Sequence, residues 1–306
     1  MTFVPAAAPG AVGPWAAGDS YSRRQVTGVF EKIVVGWNDS DASRRALQWA
    51  LARSDGIPLV VVHVIPGRAH ANDGPRAGRQ LAEARARLLE ATDEVRDRYP
   101  ELRLTTATVH GDPLEELDDY VAAGTLTVVG ARTGGRPGRW TFGGRLAGQP
   151  GSGAVAVIPD EFNKSERSGV IVGVDGSATS IDAIGIAADE ARRSGDAVTL
   201  VHAWRPPSHW ESAYDEYAEG IEVVEEMHRQ ILDDALDFAN ALDAAPRGRL
   251  EQGGAAGVLL AESRDASMLV IGSHGRRGVG RFLLGSVSQD VLLTVTTPTI
   301  VVRPDQ

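Results

Sequence analysis

A glycine-rich, basic loop between a buried strand and a helix is the stretch of this sequence best suited to chemistry. Four apolar residues, Met268 to Ile271, predict a short strand that Gly272 ends. Glycines recur at 272, 275, 278, 280 and 285, and arginines at 276, 277 and 281. Backbone N–H groups beside glycines approach phosphate oxygens closely, and a helix start adds about half a positive charge. The pattern therefore predicts an anion cradle, with an ordinary strand-to-helix connection as the alternative.

A carboxylate follows an earlier predicted strand. Asp175 comes directly after the apolar run Ile171 to Val174. In an open parallel sheet, ligands bind beyond the carboxyl ends of the strands. If this strand neighbours the one that Gly272 ends, Asp175 faces the same crevice and accepts hydrogen bonds from ribose hydroxyls. Taken alone, Asp175 would more simply cap a helix start. His274 and the loop arginines either screen phosphate charge or form a solvated basic loop.

Composition excludes several kinds of chemistry. The 306 residues suit two domains, and 42% hydrophobic with 24% charged residues is typical of soluble globular proteins. The absence of cysteine excludes disulfides and thiol catalysis, and favours a cytoplasmic location. A net charge of −10 argues against nucleic-acid binding, and no apolar run reaches the ~18 residues of a membrane helix. His63 and His202 have no partners at zinc spacing, so we expect packed side chains rather than metal ligands.

The chain divides into a tail, two domains and a linker. Residues 1–28 are rich in Ala, Pro and Gly and predict a flexible tail without the positive leader of a secretion signal. Residues 29–160 and 169–306 each alternate strands with helices, and the polar residues 161–168 join them. Such alternation predicts an α/β fold of two tandem, open, parallel five-stranded sheets with helices on both faces, a Rossmann-like arrangement.

The two domains are an internal duplication. Landmarks recur in the same order at nearly constant spacing: Gly36 with Gly173, His63 with His202, Gly111 with Gly253, Gly130 with Gly272, and Pro159 with Pro304. Two similar units in one chain predict an intramolecular pseudo-dimer. Their last strands, near Val155 and Ile300, are edges that need covering, and further pairing into a homodimer is left open.

The spaced motif carries a family resemblance. Gly272-x2-Gly275-x9-Gly285-Ser286, after an aspartate at the end of the first strand of its half, resembles the ATP-binding type of universal stress protein. The resemblance covers about residues 30 to 304, so the chain resembles a tandem member with an adenine nucleotide alpha hydrolase-like fold in each half. It implies ATP as the ligand, with Mg²⁺ held, if at all, through the phosphates.

The resemblance also implies which residues bind the nucleotide. Asp175 would contact ribose and adenine, and the backbone of Ala203 would contact adenine. Gly272 and Gly275 would approach ribose and phosphate, and Gly285, Ser286 and Ser288 would hold the phosphates. The complete expected site is Val174, Asp175, Ala203, Ile271, Gly272, His274, Gly275, Gly285, Ser286, Val287 and Ser288.

The first half departs from this motif. Asn38 stands in place of the aspartate, Thr133 in place of the second glycine, and Gly144 in place of the phosphate-binding serine. The segment from Arg145 to Gly153 is rich in Gly and Pro and predicts a poor helix. Without a well-formed helix N-terminus the anion site would lose part of its field. We therefore expect weak or no nucleotide binding by the first half.

Two classes of function fit these features. The first is an ATP-binding universal stress protein acting as a nucleotide-dependent regulatory or stress-response module. The second is a slow ATPase or phosphotransferase, although the chain has no G-x-x-x-x-G-K-[ST] run and no set of residues that we assign to catalysis. An AMP- or cyclic AMP-binding sensor is a third reading. In each case the partner is an adenine nucleotide.

Overall fold

The structure is a computed structural model that describes residues 30–67, 74–133, 141–163, 167–207, 218–273 and 284–304. The predicted tail of residues 1–28 lies outside these ranges, and so do His274 and Gly275. None of the helices within the described ranges is long and apolar enough to span a membrane.

Within the described residues, each half contains five strands and four helices. The elements of the first half are β1 (Lys32–Trp37), α1 (Asp41–Leu51), β2 (Leu59–Pro66), α2 (Gly74–Arg98), β3 (Leu104–Gly111), α3 (Pro113–Asp118), β4 (Thr125–Ala131), α4 (Phe142–Ala147) and β5 (Gly153–Pro159). Those of the second are β6 (Val170–Gly173), α5 (Ala178–Ser194), β7 (Val198–Trp204), α6 (Ala218–Ala241), β8 (Arg247–Gln252), α7 (Ala255–Glu262), β9 (Met268–Gly272), α8 (Ser286–Leu293) and β10 (Thr299–Arg303).

The ten strands form one mixed sheet in the order β3-β2-β1-β4-β5-β10-β9-β6-β7-β8. Within each half all neighbouring strands are parallel, whereas β5 and β10 pair antiparallel, with Val155 opposite Val301. The predicted α/β fold is confirmed, but the two sheets are continuous rather than separate. Each last strand covers the edge of the other, because an unpaired edge would leave its N–H and C=O groups without partners.

Apolar side chains cover both faces of the sheet. Helices α1, α2, α5 and α6 pack on one face through residues such as Trp49, Leu88 and Ile184. Helices α3, α4, α7 and α8 pack on the other through residues such as Leu117 and Val291. The layers leave the carboxyl ends of the strands accessible between helices, which is where ligands bind in sheets of this kind.

One helix begins within a stretch whose composition is typical of a loop. The stretch from Pro66 to Gly78 has the polar composition of a loop, yet α2 already begins at Gly74. Proline is tolerated in the first helical turn because its missing N–H would have no partner there, and Pro75 is the second residue of α2.

The two halves are also joined by a buried ion pair between α1 and α5. Arg53 Nε donates to Glu190 Oε2 at 3.1 Å, and both side chains are less than one-tenth exposed. The guanidinium lies 3.6 Å from the Trp49 ring centre, and Arg193 also donates to Glu190. Arg53 and Glu190 stand 137 residues apart, at equivalent positions of the duplication. One repeat therefore supplies the cation and the other the anion.

Substitution of Gly130 by alanine is expected to cost about 2–3 kcal/mol of unfolding free energy. Helix α1 passes so close to the end of β4 that a Cβ at Gly130 would overlap the Ala42 carbonyl and lie 2.8 Å from the Ala42 Cβ. Chemical denaturation measures the change. The control is Gly257→Ala on α7, where an added Cβ meets nothing within 4 Å and should stabilise by about 0.5–1 kcal/mol. Equal stability of the two variants would contradict the predicted overlap.

Candidate functional site

A cavity of about 320 Å³ lies at the carboxyl ends of β6 and β9, which are neighbours in the sheet. It brings together every described residue of the expected site: Val174, Asp175, Ala203, Ile271, Gly272, Gly285, Ser286, Val287 and Ser288. Residues that the sequence pattern did not single out also line it: Gly173, Ser177, Ser180, Val201, Ala255 and Leu259. The adjacency of β6 and β9, on which the predicted site depended, is confirmed.

The main chain of Ala203 presents a donor and an acceptor to this cavity. Val201 C=O accepts from Val174 N–H at 3.0 Å on the β6 side, and Trp204 C=O accepts from Gly253 N–H at 2.8 Å on the β8 side. The backbone groups of successive residues in a strand point alternately toward the two neighbouring strands. The N–H and C=O of Ala203 therefore point toward β6, beyond Gly173, which is the last residue of β6 that pairs with β7. An adjacent donor and acceptor of this kind match an aminopurine edge.

Asp175 forms a turn before α5 rather than its cap. Its Oδ1 accepts from Ser177 N–H at 3.0 Å, and Ser177 is the N-cap residue, with Oγ accepting from Ser180 N–H at 3.3 Å. The carboxylate lies half-buried at the cavity wall. The alternative of Asp175 as a simple helix cap is therefore wrong, and a negative charge stands beside Ala203 and across from α8.

The start of α8 supplies the positive end of the site. Its N-cap is Gly285, which makes no side-chain capping bond. The first hydrogen bond within the helix is the one that Gln289 N–H donates to Gly285 C=O. The N–H groups of Ser286, Val287 and Ser288 consequently have no acceptor within the helix. They lie at the positive end of the helix dipole, on the cavity wall. An anion is the ligand that such a helix start favours.

Ser288 and Gly272 are also tied to the framework. Ser288 Oγ donates to Gly272 C=O at 2.6 Å, so its hydroxyl proton is directed at the strand end and its backbone N–H is the group available to a phosphate. Gly272 is packed against α5, because a Cβ there would lie 2.9 Å from the Thr179 Cβ and closer still to its hydroxyl. The glycine thus has a packing role whatever ligand is bound.

His202 holds the end of β6 in place. Its Nδ1–H donates to Val174 C=O at 2.6 Å, and its Nε2 lies 2.7 Å from His228 Nδ1 on α6. The equivalent His63 contacts Trp37 C=O through Nδ1 at 2.9 Å. Both histidines thus lie at equivalent strand ends with Nδ1 bound to the main chain, His202 buried and His63 half-buried. His228 was not predicted, because its helical spacing gives no sign that it reaches His202.

A counterpart cavity of about 510 Å³ lies in the first half, at the carboxyl ends of β1 and β4. Asn38 repeats the turn of Asp175, with Oδ1 accepting from Ser40 N–H at 3.2 Å. The prediction that Arg145 to Gly153 forms a poor helix is confirmed, because α4 ends at Ala147, but the helix start is well formed, since Thr141 Oγ1 accepts from Gly144 N–H at 3.0 Å. The helix is nevertheless short, ending at Ala147, and its cap occupies an amide that would otherwise face an anion.

Thr133, at the position of the second glycine, is also bound within the protein. Its N–H and hydroxyl both donate to Asp160 Oδ1, at 2.9 and 2.7 Å. Desolvation opposes the charge of Asp160, but these hydrogen bonds and the nearby Arg132 outweigh it and hold the pKa of the carboxyl below its usual range. Asp160 therefore stays ionised at neutral pH, and this part of the loop carries a carboxylate rather than an anion site.

The fold and the cavities define a class of protein. It is a tandem α/β protein with a cavity at the carboxyl ends of the strands in each parallel half. The chain belongs to the universal stress protein family, whose sequence pattern matches residues 30–145 and 167–303. The predicted membership of this family is thereby confirmed, together with the tandem organisation.

Relatives and solved structures agree with this assignment. A universal stress protein of Mycolicibacterium smegmatis is 32% identical over 295 residues, covering 89% of this chain and 97% of the relative. One of Mycobacterium tuberculosis is 30% identical over 307 residues, covering 89% and 96%. A universal stress protein structure from Archaeoglobus fulgidus superposes with a TM-score of 0.61 at 17% identity, covering 89% and 98%, and shows the same fold.

Proposed function

We propose that this universal stress protein binds ATP in the cavity of its second half and acts as a nucleotide-dependent regulatory module. The observation that carries the proposal is the convergence of three groups on one cavity: the main chain of Ala203, the carboxylate of Asp175 and the uncapped start of α8. These groups match, in order, an aminopurine, a ribose and a phosphate chain.

The lining of the cavity favours binding over catalysis. Of the described residues that line it, only Asp175 is ionisable, and its Oδ1 is engaged by Ser177. Efficient phosphoryl transfer needs a positioned nucleophile and charge-neutralising groups around the transferred phosphoryl. In the proposal Mg²⁺ is held through the phosphates of ATP. Slow hydrolysis is the alternative activity, and turnover at the rate of a dedicated kinase would exclude the binding role.

Substitution of Asp175 by alanine is expected to weaken ATP binding about tenfold to 100-fold, because a charge-assisted hydrogen bond to the ribose is lost. Calorimetric titration of the full chain measures this, with AMP and cyclic AMP as competing ligands. Asp175→Asn keeps the shape and removes the charge, as Asn38 does in the first half.

The matched control for this experiment is Asp237→Ala, which removes an exposed carboxylate on α6 away from the cavity and should leave binding unchanged. ATP binding of full strength by the Asp175→Ala variant would show that the nucleotide lies elsewhere. Tighter binding of AMP or cyclic AMP than of ATP would replace ATP as the ligand while leaving the site in place.

A further inference from the structure

We infer that β3, one of the two edge strands of the ten-stranded sheet, is an interaction surface for a second copy of this chain. The β3 strands of the two copies pair antiparallel about a two-fold axis, so that the sheet continues from one copy into the other. This surface is separate from the proposed nucleotide site, which lies in the other half of the molecule.

The outer edge of β3 carries main-chain groups that can accept another strand. Leu59 N–H donates to Arg103 C=O, so the odd-numbered residues of β3 direct their main chain toward β2. The main-chain groups of Thr106, Thr108 and His110 therefore point away from β2. Among the described residues no strand pairs with β3 on that side. An edge strand of eight residues is a template for pairing with another chain.

The two edges of the sheet differ in charge. The residues of β3 that share the sheet face covered by α3 are uncharged: Thr105, Ala107 and Val109. Their counterparts on β8 are charged: Arg247, Arg249 and Glu251. The correspondence follows from the duplication, because His63 pairs with Thr108 and His202 pairs with Leu250. Charged side chains on an edge strand oppose pairing with another chain, so β8 is protected and β3 is not.

The chain already contains an antiparallel pairing of equivalent strands. Strands β5 and β10, the last strands of the two repeats, pair with Val155 opposite Val301. A pairing of β3 with β3 of a second copy, centred on Ala107, has the same form. It places Ala107 opposite Ala107 and Thr106 opposite Thr108, so neither charge nor bulk opposes the approach of the strands. A second copy is therefore the partner that the sequence of this strand matches.

Helix α2 carries complementary charges beside this edge. Arg87 lines a cavity between α2 and α1, so the opposite side of α2 faces the edge of the sheet. Arg85, Leu89 and Asp93 lie on that side at four-residue spacing. An axis at Leu89 brings Arg85 of each copy to Asp93 of the other. Asp93 also accepts from Arg96 at 3.2 Å, and a carboxylate can accept from a second guanidinium.

One axis can serve both the strand and the helix. Helix α2 runs antiparallel to β3, because it leads from the carboxyl end of β2 to the start of β3. Leu89 lies about 13 Å along the helix from its end at Arg98, and Ala107 lies about 10 Å along the strand from its start at Leu104. The two residues are therefore at similar heights, and the axis that pairs Ala107 with Ala107 passes near Leu89.

The test is sedimentation of the full chain over a range of protein concentrations, which should show a reversible dimer. Ala107→Lys should weaken association about 100-fold or more, because it places like charges directly opposite one another, and Ala107→Glu should do the same. An equimolar mixture of the two variants should restore association, since opposite charges then face each other. The matched control is Arg249→Glu, which changes the charge at the equivalent position of β8 and should leave the dimer unchanged.

The mixture also controls for folding, because two misfolded variants would not restore each other. A chain that stays monomeric at every concentration, or a dimer that Ala107→Lys leaves intact, would overturn the inference. Failure of the mixed variants to associate would exclude the antiparallel pairing centred on Ala107. Titration of Asp175→Ala with ATP decides the nucleotide site by itself, so the two proposals fail separately.

Discussion

Gly285→Asp is expected to weaken ATP binding about 100-fold or more while leaving the fold intact. The backbone of Gly285, at φ −60° and ψ 152°, is open to any residue. An aspartate there would cap α8 and occupy amides of its first turn, and its charge would repel the phosphates. The substitution installs in the second half the kind of cap that Thr141 provides in the first. Calorimetric titration with ATP measures the loss.

Two comparisons isolate the cause of this loss. Gly285→Ala adds a Cβ without an acceptor and should retain most of the affinity for ATP. Adenosine binding should be nearly unchanged in Gly285→Asp, since only the phosphate end is altered. Thermal unfolding should show the aspartate variant at least as stable as the parent, because aspartate is as good an N-cap as glycine or better. Undiminished ATP binding would contradict a role of the α8 start in holding phosphate.

Glu190→Ala is expected to destabilise the protein by about 3–5 kcal/mol, because it leaves the Arg53 guanidinium buried without its anion. Desolvation by burial lowers the pKa of Arg53 to about 10, so the group remains charged at neutral pH. The charge is held by one hydrogen bond to Glu190 and one, at 3.1 Å, to Trp49 C=O. Denaturant unfolding of the full chain at neutral pH measures the difference.

The control removes both charges together. Arg53→Met with Glu190→Met replaces the pair by apolar side chains and should recover most of the stability lost in Glu190→Ala. Exchange of the two residues, Arg53→Glu with Glu190→Arg, tests whether the pair tolerates reversal. A loss below about 1 kcal/mol in Glu190→Ala would indicate that water reaches Arg53, through the adjoining cavity that both residues line.

Sequence reasoning predicted residues that line the second-half cavity because the signals are local. A few neighbouring residues are enough to recognise each signal. The signals are a glycine that ends one buried strand, an aspartate that follows another buried strand, and a serine at a helix start. The structure then met the condition on which the prediction depended, since β6, which ends just before Asp175, is the neighbour of β9, which ends at Gly272. The described residues of the expected site consequently line one cavity.

Other features depend on contacts between distant parts of the chain. The pattern could suggest that the last strands need covering, but the antiparallel pairing of β5 with β10 makes the two sheets one. It did not specify the hydrogen bond that the Ser288 hydroxyl donates to Gly272 C=O. It gave no sign that His228 reaches His202. These partners are far apart in sequence, and neither hydrophobic period nor residue type specifies them.

The sequence by itself determined the family, the repeat, the strands of each half and many of the residues that line the second-half cavity, because these follow from local composition and spacing. Only the tertiary structure decided how the halves join, which helix start remains uncapped and which charges are buried together. Thr141 and Gly285 illustrate the difference, since each begins a helix beside a cavity. In the first half the Thr141 hydroxyl oxygen accepts from an amide in the first turn of α4, whereas Gly285 makes no side-chain capping bond at the start of α8. The difference depends on the residue at which each helix begins.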